Sequence, residues 1–142
     1  MKYVVLRENC TPPSRATTGS AGYDLCACID KSISIGPHRT EVIPLGFALQ
    51  VPEGYVGLIF ARSGLATKQG LAPANKVGVI DSDYRGEWMV PLHNHSDTVR
   101  SVLPKERIAQ MVIVPCLTEE LERVDTLEDT DRGVGGFGST GL

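Results

Sequence analysis

Short runs of β-forming residues, each ended by glycine, proline or polar turn residues, recur along the whole chain and are the feature that most limits its fold. The dominant hydrophobic period is two, which is typical of strands with one buried face. The predicted strands are Tyr3–Leu6, Ser32–Ile35, Glu41–Pro44, Phe47–Val51, Val56–Ala61, Val77–Ile80, Trp88–Leu92, Val99–Leu103 and Ile108–Val114. Together with 15 glycines and 9 prolines, this spacing predicts an all-β sandwich, jelly roll or barrel.

One short segment departs from the strand pattern. Ser63–Gln69 has helical propensity, and Gly70 stands where it would end a helix. Thr118–Val124 could form either a helix or a final strand. The segment Arg132–Gly141 is rich in glycine and poor in apolar side chains, so it cannot form part of a core. We therefore expect one β domain over residues 1–131 and a flexible C-terminal arm over 132–142.

Charge and composition narrow the functional classes. A formal net charge of -3 argues against a nucleic-acid or membrane partner, since such proteins usually present a basic face. The sequence shows no apolar run of about 20 residues and no targeting segment. Its four cysteines have no framework spacing, so reduced thiols and a cytoplasmic location are expected. An acidic protein can still bind a polyphosphate where its few cations converge.

Arg62, Ser63 and Gly64 follow an apolar strand and open the predicted helix. An arginine fork, a hydroxyl and a close backbone approach would suit phosphate oxygens, although Ser63 could equally be a simple helix N-cap. Further on, Gln110 could donate to a phosphate. The neighbouring Arg107 is more easily interpreted as a structural ion-pair partner.

Two aspartates and a tyrosine suggest catalysis on a nucleotide. Asp24 could hold a hard cation directly or through water, but its segment alone favours a turn-capping role. Asp81 directly follows an apolar strand, so it is the best candidate for a general base that orients water. Ile80 and Trp88 flank a polar tip that predicts a hairpin, in which Tyr84 supplies a flat ring.

The glycine-rich end carries a third group of candidates. Arg132, Ser139 and Thr140 suit a terminal phosphate, and the glycine N–H groups around Gly138 can form an anion-binding nest. Phe137 can stack on a base. The physical interpretation is an arm that closes over a bound triphosphate.

Two pairs of residues are of types that bind metals, but their spacing does not support a metal site. His93 and His95 share a strand face but have no third ligand at useful spacing. Cys26 and Cys28 also lack partners and are better interpreted as small packing residues.

Five segments, in this order, resemble the motifs of the trimeric dUTPase family across essentially the whole chain. They are Ala-Gly-Tyr-Asp-Leu (21–25), Arg-Ser-Gly-Leu-Ala (62–66), Gly-Val-Ile-Asp-Ser-Asp-Tyr-Arg-Gly (78–86), Arg-Ile-Ala-Gln (107–110) and Arg-Gly-Val-Gly-Gly-Phe-Gly-Ser-Thr-Gly (132–141). One departure is Lys105-Glu106, where the family usually has Gly-Asp. The difference affects a local turn.

The resemblance implies a β jelly roll that forms a homotrimer, with each active site drawing on all three chains. It also implies hydrolysis of dUTP to dUMP and pyrophosphate, which limits uracil incorporation into DNA and supplies dUMP for thymidylate synthesis. Asn75 to Met89 would form the uracil and deoxyribose pocket, in which the backbone of Gly78, Val79 and Ile80 reads the base.

Individual roles follow from the same resemblance. Asp81 would orient the attacking water, and Tyr84 would lie against the deoxyribose. Asp24 would support Mg²⁺ through its water shell. The remaining residues would contact phosphates or base: Arg62, Ser63, Gly64 and Gln110 at the α- and β-phosphates, Arg132, Ser139 and Thr140 at the γ-phosphate, and Phe137 over the uracil.

Two other functions fit the same scaffold. A dCTP deaminase would need an additional acid to protonate and displace the amino group of the base, and the predicted hairpin offers no obvious extra glutamate aimed at the base. A non-enzymatic nucleotide sensor would be expected to lack either Asp81 or the arm motif, and both are present.

Overall fold

A computed structural model describes residues 1–136 of the chain, and β-strands dominate them. The strands are β1 (Lys2–Val5), β2 (Tyr23–Cys26), β3 (Ile33–Ile35), β4 (Thr40–Pro44), β5 (Phe47–Gln50), β6 (Tyr55–Ala61), β7 (Leu71–Pro73), β8 (Gly78–Ile80), β9 (Met89–Asn94), β10 (Arg100–Val102) and β11 (Arg107–Pro115). One helix, α1 (Ser63–Gln69), lies between β6 and β7. It ends at Gly70, whose φ of 70° is left-handed and unfavourable for other residues. The prediction of an all-β fold with one short helix is confirmed.

The strands form four small antiparallel sheets. The largest has the order β2-β11-β6-β8, and a three-stranded sheet has the order β4-β9-β7. Two further pairs, β1-β5 and β10-β3, complete the arrangement. Among residues 1–136 no sheet closes into a barrel, so the fold is of the sandwich type. The described helix is too short and too polar to span a membrane.

A single hydrophobic cluster joins these sheets. Its largest fully buried side chains include Trp88 and Phe47, whose ring centroids lie 5.6 Å apart. Strand β9 alternates buried and more exposed residues, as expected for a strand with one face in a core. The other members come from nearly every strand and from Leu65 of α1. One contiguous core indicates one domain.

Asn94 is the one buried polar residue within this described core. Its amide nitrogen donates to three carbonyl oxygens, and its side-chain oxygen accepts from both the amide and the hydroxyl of Ser96. The three carbonyls belong to Ile35, Gly36 and Thr98. Because its hydrogen-bonding capacity is satisfied, Asn94 joins the end of β9 to the β3 turn at little desolvation cost.

The structure also contains elements that the sequence pattern missed. Strand β2 carries Asp24 in its middle, and β7 ends in Pro73, so local propensity argued against both. β2 forms because it pairs with β11, and β7 is an edge strand, where proline is tolerated. Thr118–Val124 forms neither the helix nor the strand that was predicted.

The predicted hairpin around Ile80 and Trp88 is wrong. Strand β8 pairs with β6, whereas β9 pairs with β4 and β7. The polar tip therefore connects two different sheets. Alternation of apolar residues predicted both strands correctly, but it carries no information about which neighbour each strand meets.

The turn that contains Lys105 and Glu106 is formed despite its departure from the family pattern. Lys105 adopts a φ of 63°, in the left-handed region. The Glu106 amide donates to the Leu103 carbonyl at 3.1 Å, and the Glu106 side chain accepts from the Leu103 amide at 2.8 Å. These contacts hold the backbone of a side-chain-bearing residue in a conformation that glycine adopts more easily.

Two glycines with nearly the same backbone test how tightly the N-terminal part of the core is packed. Gly46 and Gly54 have φ values of 75° and 76°. A Cβ on Gly46 would collide with the Cys28 side chain and lie 2.9 Å from the Cys10 Cβ, whereas a Cβ on Gly54 would meet nothing within 4 Å. We expect Gly54→Ala to lower the free energy of unfolding by about 1 kcal/mol from backbone strain. Gly46→Ala should lower it by roughly 2–4 kcal/mol, since overpacking is added.

Urea unfolding of both variants measures this difference. Because the backbone strain is matched, the gap between them reports the close packing at Gly46. Equal losses in the two variants would contradict that packing.

Candidate active site

Asp24 lies at the centre of a group of polar side chains on the four-stranded sheet. Its two carboxylate oxygens accept from different guanidinium groups: Arg62 Nε at 2.9 Å and Arg107 Nη1 at 3.1 Å. Only 17 % of the Asp24 side chain is exposed, so the bridge is partly shielded from water. The prediction that Arg107 is a structural ion-pair partner is confirmed. Arg62, a predicted phosphate ligand, has the same partner.

Gln110 brings the second and fourth motifs together. It lies opposite Asp24 in the β11–β2 register, and its Nε2 donates to the Ala61 carbonyl at 2.9 Å. A Cβ on Gly22 would lie 2.9 Å from the Gln110 Oε1, so Gly22 allows this side chain to pack closely. Three sequence-predicted residues, Asp24, Arg62 and Gln110, are therefore one connected group.

Ser63 and Gly64 occupy the exposed start of α1. Arg62 is the N-cap residue, and no side chain caps this end, so the interpretation of Ser63 as a simple N-cap is wrong. A Cβ on Gly64 would meet nothing within 4 Å. This open space allows an anion to approach the backbone N–H groups directly.

The donor set around Asp24 fits a cation held through water rather than in a protein cage. Among residues 1–136 no three His, Cys, Asp or Glu side chains converge on a metal position. Each Asp24 oxygen accepts one bond from an arginine, which leaves acceptor capacity on both oxygens. Mg²⁺ commonly keeps several waters and binds through one carboxylate and substrate phosphates, and one available carboxylate meets that requirement.

A second group of candidates lines two adjoining cavities beside β8, of about 220 Å³ and 70 Å³. Val79, Ile80 and Met89 line both cavities. The larger cavity also includes Asp81 and Tyr84, and the smaller includes Asn75 and Gly78. The seven candidate residues between Asn75 and Met89 thus lie together.

Strand β8 is the edge strand of its sheet, with β6 on one side only. An edge strand has main-chain N–H and C=O groups that no neighbouring strand satisfies. Because the cavities lie beside these groups, a planar ring with amide-like donors and acceptors could pair with the backbone there. Asp81 directly follows β8 and is exposed at the larger cavity.

Internal contacts hold the tip after Asp81 in one conformation. The Tyr84 hydroxyl donates to the Glu87 carbonyl at 2.9 Å. A Cβ on Gly86 would lie 2.7 Å from the Tyr84 Cζ, so the ring packs directly over this glycine. The Arg85 guanidinium donates to the carbonyls of Ser82 and Tyr84. The aromatic ring is therefore positioned before any ligand arrives.

Glu87 is a supporting residue that sequence analysis missed. Its carboxylate accepts Nε and Nη2 of Arg7 at 2.8 and 2.9 Å, and it also accepts the Gly46 amide at 3.0 Å. The hydrogen bonds from Arg7 lower the pKa of Glu87. No local pattern could indicate this contact, since Arg7 lies in a distant part of the sequence. The pair joins the N-terminal segment to the tip that carries Tyr84.

Arg132 lines neither cavity beside β8. Arg132 Nε donates to the Gly135 carbonyl within a local turn, and Phe137, Gly138, Ser139 and Thr140 lie outside the described residues. Neither cavity beside β8 includes Arg62, Ser63, Gly64 or Gln110. Within one chain, the Asp24 group and the cavities beside β8 are therefore separate.

The two pairs considered as metal ligands have structural surroundings instead. The His93 and His95 rings meet edge to face with centroids 4.4 Å apart, and His93 Nδ1 is hydrogen-bonded to the Thr40 hydroxyl. Cys26 and Cys28 are buried, which raises the pKa of both thiols and agrees with a packing role.

The Glu87 bridge gives a prediction about pH. Since the folded-state pKa of Glu87 is lowered, the bridge stabilises the fold above the unfolded pKa and is lost as pH falls through the folded value. We expect Glu87→Gln to lower the free energy of unfolding by about 1 kcal/mol at pH 7, with the difference vanishing in acid. Urea unfolding of both proteins between pH 3 and 7 measures this. A difference that does not change with pH would show that the charge of Glu87 is unimportant.

Comparisons with known proteins show a family match over most of the chain. Residues 8–141 match the dUTPase family model. The deoxyuridine 5'-triphosphate nucleotidohydrolase of Paraburkholderia phytofirmans is 49 % identical over 130 residues, which cover 91 % of this chain and 88 % of that protein. The dUTPase of Staphylococcus bacteriophage 80alpha, solved with dUpNHpp, superposes with a TM-score of 0.86 at 31 % identity and covers 99 % of this chain and 98 % of that one.

A mutant dUTPase from phage phi11 of S. aureus superposes with a TM-score of 0.79 at 29 % identity, covering 90 % of this chain and 98 % of that one. That structure is described as showing the coordination of a structural Mg(II) ion. The likeness in fold supports the jelly-roll-like prediction. The family match over residues 8–141 includes both groups of site residues and most of the arm. The chain therefore belongs to the dUTPase family, the deoxyuridine 5'-triphosphate nucleotidohydrolases.

Proposed function

We propose that the chain hydrolyses dUTP to dUMP and pyrophosphate, using Asp81 as the general base. The observation that carries this proposal is the position of Asp81 at the larger cavity beside β8. There an exposed carboxylate adjoins an unpaired strand edge and an aromatic ring. A carboxylate so placed can accept a proton from a water held next to the bound nucleotide.

The strand edge and Tyr84 account for recognition of the nucleoside. Main-chain groups of Gly78, Val79 and Ile80 pair with the uracil edge, and Asn75 and Met89 close the sides of the pocket. The Tyr84 ring lies against the deoxyribose. Its hydroxyl bond to the Glu87 carbonyl and its packing over Gly86 support a rigid wall that leaves no room for a 2′-hydroxyl.

In the reaction, the water oxygen attacks the α-phosphorus while its proton passes to Asp81. The bond from the α-phosphorus to the bridging oxygen breaks, and that oxygen leaves with the β- and γ-phosphates as pyrophosphate. Arg62, Ser63, Gly64 and Gln110 hold the α- and β-phosphates. When bound, Mg²⁺ would neutralise phosphate charge and fix the geometry of the triphosphate. Asp24 would accept hydrogen bonds from the waters of the ion.

We further propose that the protein is a homotrimer whose sites are shared between chains. Two observations support this: the nucleoside cavities and the Asp24 group are separate within one chain, and the segment after β11 exposes apolar side chains. Leu117, Leu121 and Leu127 are among the most exposed apolar residues described. Such residues are expected to be covered by another copy. Residues 132–142 would then form the arm, with Arg132, Ser139 and Thr140 at a neighbour's γ-phosphate and Phe137 over its uracil.

A cytoplasmic location is part of the same proposal. All four cysteines are free thiols, which supports a reducing compartment.

Replacement of Asp81 tests the reaction. Asp81→Asn keeps the size of the side chain but removes its basicity, so kcat for dUTP should fall by about 10²-fold or more. KM should change little. Asp83→Asn is the matched control, because Asp83 is an exposed aspartate on the same tip that does not line either cavity. A normal kcat in Asp81→Asn would remove this residue from the mechanism.

Mixing two inactive variants tests the shared site. One variant carries Asp81→Asn with the arm intact, and the other has Asp81 but ends before Arg132. After they are unfolded and refolded together, a site that takes base and arm from different chains should recover ~25 % of wild-type activity, assuming random assembly in a closed trimer. If both come from one chain, recovery should be zero. Native mass spectrometry confirms that the chains have mixed, so zero recovery in mixed trimers would contradict sharing.

A further inference from the structure

A basic cavity of about 440 Å³ lies between α1 and the turn before β11. Four of its lining residues are cationic, and only one is acidic, although the whole chain carries a net charge of -3. The charged lining residues are Arg62, Lys68, Lys105, Glu106 and Arg107. Four of the 14 lysines and arginines of this acidic protein thus lie at one place, which favours binding of a small polyanion.

The four cations differ in their partners. Arg62 and Arg107 share the carboxylate of Asp24, which partly neutralises both. Lys68 and Lys105 form no ion pair with any carboxylate among residues 1–136. Glu106 accepts a hydrogen bond from the Leu103 amide within its own turn. With four cations against the carboxylates of Glu106 and Asp24, the two lysines leave the cavity with an excess of positive charge.

The backbone of Lys105 gives a second reason to expect a role for its side chain. Its φ of 63° lies where glycine is favoured and a side chain is unfavourable. The turn is fixed by hydrogen bonds at Glu106 and by the bond from the Lys105 amide to the Ala27 carbonyl at 2.9 Å. The family usually has glycine at this position, so the lysine adds an ammonium group beside the cavity at a cost in backbone strain.

We propose that Lys105, together with Lys68, binds the terminal phosphates of the substrate and the pyrophosphate that leaves. The inference rests on the proposed dUTP hydrolysis and extends the phosphate clamp beyond Arg62 and Gly64, which line the same cavity. A lysine ammonium is a compact charge that suits phosphate oxygens without the fixed geometry of a planar fork. Because substrate and product both carry these phosphates, the lysines affect binding rather than the chemical step.

The test compares Lys105→Gly, Lys105→Ala and Lys68→Ala with the wild type. KM for dUTP and the inhibition constant of added inorganic pyrophosphate should each rise by about 3- to 10-fold, while kcat stays within about 2-fold. The dependence of kcat/KM on salt should weaken in the same variants. Lys31→Ala is the matched control, since it removes an exposed lysine outside the basic cavity and should change none of these values.

Two features keep the test informative. Lys105→Gly relieves the strained φ, so its unfolding midpoint should equal or exceed that of the wild type, and weaker pyrophosphate binding there cannot come from misfolding. Calorimetric titration with pyrophosphate alone gives a readout that needs no turnover.

Wild-type KM and pyrophosphate inhibition in all three variants would overturn the lysine proposal while leaving dUTP hydrolysis intact. A loss of kcat alone would also overturn it, since the role would then not be binding. Failure of the wild type to hydrolyse dUTP would instead overturn the proposed function.

Discussion

The carboxylate of Asp24 is the contact on which the proposed phosphate half of the site depends. It lies in β2, and its partners are Arg62, just after β6, and Arg107, at the start of β11. Three strands of one sheet are therefore joined through a single side chain at the end where α1 begins. Because two guanidinium groups share one carboxylate, the group has an excess positive charge in a fixed position. Such a preorganised group can meet phosphate oxygens with little rearrangement.

Much of this site could be predicted from residue types in sequence. Arg62, Asp81, Tyr84 and Gln110 each follow an apolar run or a turn signal, and the structure brings them into two compact groups. The strands that contain alternating apolar residues were also predicted correctly. These residues can be recognised locally because a side chain that binds a ligand is often polar or charged at a position where the strand or turn pattern alone predicts another residue type.

The features that sequence reasoning missed depend on contacts between distant residues. The pairing of β8 with β6 rather than β9 is set by the sheet, and no single strand encodes it. The bridge from Arg7 to Glu87 joins the N-terminal segment to the tip between β8 and β9 through charges that look like ordinary surface residues. Strand β2 was missed because Asp24 lowers its propensity, although that aspartate is the reason the strand matters. Functional residues are expected to break local rules in this way.

The exposed leucines after β11 have a consequence for how the protein behaves in solution. Leu117, Leu121 and Leu127 have no cover within the described chain, and the strands before them end at Pro115. If a second copy supplies that cover, the free energy of folding includes a term from association, and it varies with protein concentration. Dilution would then expose an apolar, unstructured segment to proteases and to aggregation. The cellular concentration of the protein would in this way set both its lifetime and the fraction of complete sites.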